Sequence, residues 1–183
     1  MNPFRWSFRV AFLIGFLICA ALLGYALYAE QRLNLMPCNL CILQRVAFLW
    51  MGLWFLIGSL HAPRGGARWA YAVLVLIGAA FGVAMAARQL WLQSLPASQV
   101  PACGAGFDLL LAQLKAHAIP FSQFMTVMLR GSGDCAQVTW RFLGLSMAGW
   151  TLVWYVLLGA WALLPRPRRN KLGDARPLRA MRS

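Results

Sequence analysis

The sequence has little charge, and acidic residues are especially few. Only 11% of its 183 residues are charged and four are acidic, whereas 61% are hydrophobic. Soluble domains carry about 25% charged residues. This composition excludes a soluble globular domain and indicates a protein embedded in a membrane.

Four apolar runs without charge predict membrane spans. Because about 20 helical residues cross a hydrocarbon core of about 30 Å, three runs are long enough, and the second needs residues 42–45 to reach the interface. We predict an all-α membrane protein, a four-helix transmembrane bundle over residues 1–164. A long extracytoplasmic loop, about residues 88–141, carries short interfacial helices, and a basic cytoplasmic tail follows at 165–183. The runs are Val10 to Ala29, Val46 to Leu60, Trp69 to Ala87 and Phe142 to Leu164.

A secretory signal peptide is the alternative interpretation of the first run, since Arg5 and Arg9 precede it. The run is long for a signal peptide, and no A-x-A cleavage site stands at Ala26 to Ala29. A membrane span is therefore the favoured interpretation.

Lysine and arginine predict the orientation. Basic residues precede the first run, Arg64 and Arg68 join the second and third, and seven more follow the fourth. The positive-inside rule then places both termini in the cytoplasm. We expect the basic tail to attract anionic lipid. Nucleic-acid binding, the other use of such a tail, lacks an accompanying aromatic or folded scaffold, and we predict none.

Four of the five cysteines fall on the outer side in this topology: Cys38, Cys41, Cys103 and Cys135. Disulfides persist outside the cytoplasm, so two pairs are expected. A structural staple suits Cys103 and Cys135, which would close a long loop. It suits Cys38 and Cys41 poorly, because a bond across three positions constrains very little. The fifth, Cys19, lies mid-span and is interpreted as a packing residue.

Ligands for a metal are scarce. Zinc prefers four thiolate or imidazole ligands, often as two close pairs, but the only histidines are His61 and His117 and there is one CxxC. We therefore predict no metal and favour redox chemistry for the stretch "NLMPCNLCILQR".

Arg45 lies four residues after Cys41, on the same face of a helix. Pro37 suits a first helical turn, which would contain both thiols, and the amides of that turn favour a thiolate, as does a nearby cation. An arginine at the margin of a span is otherwise an anchor reaching toward the interface. No nucleotide fingerprint or CxxCH haem motif is present, so elimination leaves a lipid-soluble quinone as the electron acceptor.

The chain resembles a known family. "PCNLCILQR" opening the second span, "VPACGAGF" in the long loop and "GSGDCAQVTWRFLGLSMAGW" before the fourth span are similar to the DsbB family of disulfide bond formation proteins. The resemblance runs from about Val10 to Leu164. It implies an inner-membrane, quinone-dependent thiol oxidase that re-oxidises a periplasmic DsbA-type protein of thioredoxin fold.

The resemblance also implies residue roles. Cys103 and Cys135 match the loop disulfide, with Cys103 forming the mixed disulfide with the soluble partner. Electrons then pass to Cys38 and Cys41, and Cys41 matches the thiolate that contacts ubiquinone or menaquinone. Arg45 matches the arginine that supports this contact. The alternative is a non-enzymatic membrane protein, a small transporter or assembly factor, whose disulfides are structural.

Three further polar residues stand at the margins of the spans. The contribution of Gln44 is unassigned, and Arg88 and Gln89 are interpreted as an interfacial cap, with a position facing the quinone as the alternative. Two apolar segments of the loop are expected to lie in the interface or to pack over the mouth of the bundle. Residues 131–133 predict a flexible turn that helps exchange between the cysteine pairs.

Overall fold

The computed structural model describes residues 8–33, 37–63, 66–100, 107–138 and 141–164. Three long helices come first, followed by two short loop helices, a two-stranded ribbon and a last apolar helix. The helices are α1 (Phe8–Leu33), α2 (Asn39–His61), α3 (Ala67–Ser94), α4 (Phe107–Lys115), α5 (Phe121–Arg130) and α6 (Met147–Leu163). The strands are β1 (Arg141–Phe142) and β2 (Leu145–Ser146), and 3-10 turns form at Ala97–Gln99 and Gly133–Ala136.

Among the described residues, α1, α2 and α3 are long and apolar enough to cross a membrane. The last apolar helix, α6, has 17 residues and is shorter. Its predicted run began at Phe142, but β1 and β2 pair antiparallel there, and Ser146 caps α6 by accepting a hydrogen bond from the Gly149 amide. The prediction of a span over Phe142 to Leu164 was therefore wrong at its start.

The other boundaries also differ from the sequence prediction. α1 extends beyond the run at both ends, and α2 begins at Asn39 rather than Val46. α3 continues to Ser94, so the long loop begins after Ser94 and not at Arg88. At the end of α3, Arg88 contacts the Arg130 carbonyl and Gln89 contacts the thiols, so these polar side chains end the apolar run without ending the helix.

The long helices pack in sequence order, α1 on α2, α2 on α3 and α3 on α6. Aromatic side chains fill the contacts: the Phe12 and Phe55 rings meet edge to face, and the rings of Phe48 and Tyr155 stack at 4.2 Å. Gly82 lets the Tyr155 ring approach α3, where an added Cβ would come within 2.4 Å of it. Other apolar side chains face outward, as expected of surfaces toward lipid: Leu17, Leu53, Ile77 and Val156.

A second buried cluster joins the long loop to the ends of α2 and α3. Phe124 and Met128 of α5 pack there with Leu40, Leu92 and Cys135. The loop helices therefore pack over the bundle, as the second of the two predictions for these segments expects. Their position relative to lipid remains a prediction.

Gly131 connects α5 to the second 3-10 turn with φ +75°, and a Cβ at this position would come within 2.9 Å of Leu40 and 3.0 Å of Leu92. Ser132, Gly133 and Cys135 are buried. In place of the predicted flexible turn, the chain forms a packed turn that presses Cys135 against the start of α2.

Candidate functional site

The CxxC motif lies at the start of α2. Cys38 is the N-cap in an extended conformation, and its carbonyl accepts the Ile42 amide at 3.2 Å. Cys41 lies in the first turn, so only one of the two thiols does, and Pro37 precedes the helix instead of opening it. The two sulfurs are 3.0 Å apart. This distance places the thiols within reach of a direct exchange of partners.

Cys135 completes a group of three thiols. It is fully buried, its amide donates to the Ser132 carbonyl at 2.9 Å, and its sulfur is hydrogen-bonded to Cys38. Cys38 therefore contacts both Cys41 and Cys135. The packed turn after α5 and the start of α2 bring together thiols that are about a hundred residues apart in sequence.

The electrostatics of Cys38 and Cys135 differ. The hydrogen bond from Cys38 lowers the pKa of the Cys135 thiol to about 6, helped by the Leu40 amide and by Ser132 and opposed by burial. The hydrogen bonds to Cys135 and then Cys41, together with burial, raise the pKa of the Cys38 thiol. Cys135 is thus the better thiolate, and Cys38 the proton donor between its neighbours.

Cys103 lies outside the described residues, as does the basic tail. Its pairing with Cys135 therefore stays a prediction. The cysteines within the described ranges are free thiols: Cys19, Cys38, Cys41 and Cys135.

Arg45 lies one turn below Cys41, as predicted, but its guanidinium turns toward α1. It forms an ion pair with Glu30 and donates to the Ala26 carbonyl at 3.4 Å. Sequence reasoning missed Glu30, because nothing in the pattern of the first span indicates which side chain faces Arg45. The support of Cys41 by Arg45 stays a prediction, and the guanidinium that would give it belongs to an ion pair.

Gln44 and Gln89 are the main residues whose place sequence reasoning did not predict. Gln89 is buried beside the thiols: its Nε2 lies 3.5 Å from the Cys41 sulfur and 3.7 Å from the Cys38 sulfur. Gln44 donates to Gln89 Oε1 at 2.8 Å. The interpretation of Gln89 as an interfacial cap is therefore wrong. A neutral polar residue beside an arginine at the margin of a span, as at Gln44 beside Arg45 and Gln89 beside Arg88, was the available signal.

Arg88 contacts α3 and α5, and its interpretation as an interfacial cap stays a prediction. Its guanidinium lies 4.6 Å from the centre of the Trp91 ring and 3.5 Å from the Arg130 carbonyl. The contact with the Arg130 carbonyl joins the C-terminal part of α3 to the end of α5.

A cavity of about 290 Å³ opens beside Cys41, between α1, α2 and α6. Its lining includes Cys41, Gln44, Arg45 and Gln89 and also the carboxyl groups of Glu30 and Asp134, and aromatic walls come from Phe48, Trp150 and Trp154. A second cavity, of about 530 Å³, lies on the loop side and shares Glu30, Cys38 and Arg45 with the first; Asp108 borders only the second. Among the described residues, no group of three or more His, Cys, Asp or Glu side chains is arranged to hold a metal.

Comparison with known proteins assigns the chain. The family model "Disulfide bond formation protein DsbB" matches residues 8–165. Proteins named disulfide bond formation protein B are 51% identical over 164 residues in Xanthomonas campestris pv. campestris (89% of this chain, 92% of the relative) and 51% identical over 175 residues in Xanthomonas oryzae pv. oryzae (94% and 99%). The relative from Marinobacter nauticus is 46% identical over 165 residues (88% and 93%). The resemblance seen in the sequence is thereby confirmed: the chain belongs to the DsbB family of disulfide bond formation proteins.

Proposed function

We propose that this protein re-oxidises a soluble DsbA-type dithiol protein and passes the electrons to a membrane quinone. The observation that carries the proposal is the position of the Cys38 sulfur, in contact with both Cys41 and Cys135. A sulfur shared in this way permits a disulfide to change partners within the site, which a structural staple does not require.

The exchange begins at the loop disulfide expected between Cys103 and Cys135. A thiolate of the partner protein attacks the Cys103 sulfur, forms a mixed disulfide and releases the Cys135 thiolate. This thiolate attacks the Cys38 sulfur, so the Cys38–Cys41 bond breaks, a Cys38–Cys135 bond forms and Cys41 leaves as a thiolate. Hydrogen bonds from the Leu40 amide and Ser132 favour the Cys135 thiolate even while Cys38 is in a disulfide, and this supports the order, since a stabilised thiolate is a good leaving group.

The second half of the exchange re-forms the loop disulfide. The partner's other thiolate attacks its own sulfur in the mixed disulfide, and the oxidised partner departs, leaving the Cys103 thiolate. Cys103 then attacks Cys135, re-forms the loop disulfide and releases Cys38. Two electrons and the two protons of the dithiol have then moved from the partner to the Cys38–Cys41 pair.

The cavity beside Cys41 fits a quinone head group. Amide and guanidinium N–H groups of Gln89 and Arg45 match carbonyl acceptors, and Phe48 and Trp154 offer flat apolar walls. A quinone, when bound there, supplies a two-electron, two-proton acceptor for the reduced Cys38–Cys41 pair. This chain's own task is to hold Cys41 at the cavity and to keep water away from it.

We further propose that both termini face the cytoplasm of a bacterial inner membrane, with α6 as a fourth crossing. The described helices and the family assignment fit an inner-membrane protein, and the basic tail supports this orientation through the positive-inside rule. Anionic lipid is the expected partner of the tail.

The test is a turnover assay with the purified full chain, a reduced DsbA-type protein, and ubiquinone or menaquinone. One quinone molecule should be reduced for each disulfide that forms in the partner protein. Cys41→Ser should abolish quinone reduction in a folded protein, while Cys19→Ala, which removes a buried thiol that does not line the cavity, should keep it. Absence of quinone reduction with both quinones, or full activity in Cys41→Ser, would reject the proposal in favour of structural disulfides.

A further inference from the structure

A chain of side-chain hydrogen bonds crosses from α6 through α2 to α3 and ends at the thiols. The Thr151 hydroxyl lies 2.9 Å from Gln44 Oε1, and Gln44 Nε2 lies 2.8 Å from Gln89 Oε1. Gln89 Nε2 then faces the sulfurs of Cys41 and Cys38 at 3.5 and 3.7 Å. The first link joins α6 to α2, and the other two join α2 and α3, so these hydrogen bonds are part of the packing of the site.

Both amides are withdrawn from solvent, with Gln44 4% and Gln89 5% exposed. Burying two amides is costly unless their hydrogen bonds are made, and apolar side chains would fill the same space more simply. We therefore expect these two amides to have a role at the redox-active pair that an apolar side chain could not perform.

This series of hydrogen bonds can run in two directions. Thr151 has one hydroxyl proton and two acceptors within reach, Gln44 Oε1 and the Ala148 carbonyl, each at 2.9 Å. If Thr151 donates to Ala148, its oxygen is free to accept from Gln44 Nε2. Gln44 then presents its oxygen to Gln89, and Gln89 turns its own oxygen toward the sulfurs.

The two directions suit two states of the cysteine pair. With Nε2 toward the sulfurs, Gln89 donates to a thiolate; with Oε1 toward them, it accepts from an S–H group, as the 3.8 Å distance between Cys41 Sγ and Gln89 Oε1 allows. Amide rotation exchanges these states without moving any net charge into the site. An ionised side chain in place of either amide would fix one direction.

We propose that Gln44 and Gln89 form a reversible hydrogen-bond relay that stabilises Cys41 alternately as thiolate and as thiol. Gln89 touches the reacting sulfur and is the catalytic member, whereas Gln44 is a positioning residue that acts through Gln89. The inference rests on the proposed function for its purpose, because only a pair that cycles between these states needs both directions.

The test measures alkylation of Cys41 at pH 7 in the fully reduced, quinone-free full chain, with the modified peptide followed by mass spectrometry. Gln89→Met keeps the volume but removes the donor, so we expect alkylation about tenfold slower, the effect of losing one hydrogen bond to a charged group. Gln93→Met is the matched control: Gln93 lies one turn further along α3 and accepts from Ser146 rather than facing a sulfur, so its rate should stay within about twofold of the wild type.

Gln44 supplies the sharper comparison. Gln44→Glu can only accept, which turns the Gln89 oxygen to the sulfurs and should slow alkylation about tenfold, whereas Gln44→Met leaves Gln89 free to donate and should slow it less. In a Gln89→Met background the Gln44→Glu change should lose most of its effect, because the relay member that transmits it is gone.

Two results would overturn the relay. One is a Gln89→Met rate within twofold of the wild type; the other is an effect of Gln44→Glu that is equally large with and without Gln89, which direct charge repulsion would produce. Thermal unfolding of each variant in detergent identifies those that fail to fold. If Gln44→Glu is one of them, the alkylation rates of Gln44→Met and Gln89→Met are compared, and equal rates contradict the relay. Because no quinone or partner protein is present, these outcomes are independent of whether the protein reduces quinone.

Discussion

Arg45 of α2 and Glu30 of α1 form an ion pair at the edge of the cavity that Cys41 also lines. The pair offsets the charge of the arginine that sequence reasoning assigned to Cys41. How strongly Arg45 acts on the thiol therefore depends on a residue of another helix.

Replacing Glu30 with Gln should strengthen the action of Arg45. The negative charge is lost and the guanidinium is freed, so the Cys41 thiolate is better stabilised and its alkylation at pH 7 should be about threefold faster or more. Arg45→Gln, which leaves Glu30 without its partner, should have the opposite effect. Asp108→Asn is the matched control, since Asp108 borders only the second cavity, on the loop side. Equal rates in wild type and Glu30→Gln would contradict this account.

The pH profile of Cys135 provides a second prediction. Because its pKa is lowered from 9.0 to about 6, alkylation of the fully reduced protein should be half-maximal near pH 6 and level above pH 7. A lowered pKa in the folded state stabilises the reduced fold above about pH 9, and this contribution is lost as the pH falls through 6. Cys38→Ala should move the midpoint to higher pH and Cys19→Ala should leave it in place. An unchanged midpoint in Cys38→Ala would show that another group sets it.

Disulfide trapping should separate the two sulfurs of the CxxC motif. With Cys41 and Cys103 both replaced by Ser, Cys38 and Cys135 remain in contact and should form a bond under mild oxidation. With Cys38 and Cys103 replaced, Cys41 and Cys135 should do so at least about tenfold more slowly, since the contact with Cys135 is made by Cys38. Peptide mapping of the oxidised variants measures both rates, and equal rates would remove Cys38 from its central position.

Gly82 should be intolerant of any side chain. A Cβ there would come within 2.4 Å of the Tyr155 ring, which cannot retreat because it stacks on Phe48 and its hydroxyl donates to the Gln44 carbonyl at 2.6 Å. Gly82→Ala should cost about 1–3 kcal/mol of unfolding free energy and lower the Tm in detergent by several degrees, about 3 °C or more. Gly24→Ala, where an added Cβ meets no atom within 4 Å, should leave the Tm unchanged. Equal Tm values for the two variants would show that the ring can shift.

The long helices were predictable because apolar runs report directly on burial in lipid. Their ends were not, since α3 continues through Arg88 and Gln89, whose partners come from parts of the chain distant in sequence. The CxxC motif and its arginine were predictable because their spacing is local.

The contacts of these same residues were not predictable. Glu30 facing Arg45 and Gln89 facing the thiols both depend on how one helix is rotated against another, and apolar periodicity leaves that rotation undetermined in a helix surrounded by lipid and protein. Likewise, the glycines and serine before Cys135 predicted flexibility, but Leu40 and Leu92 pack against that turn and fix it.

The Cys38 backbone is anchored by its carbonyl at the start of α2, while its sulfur alone lies between two possible partners. Changing partner is therefore a matter of side-chain rotation, a motion of picoseconds to nanoseconds, and not of helix movement on the scale of microseconds or longer. We therefore expect side-chain motion at Cys38 to be fast compared with the exchange of disulfide bonds itself, which takes place between sulfurs already in contact.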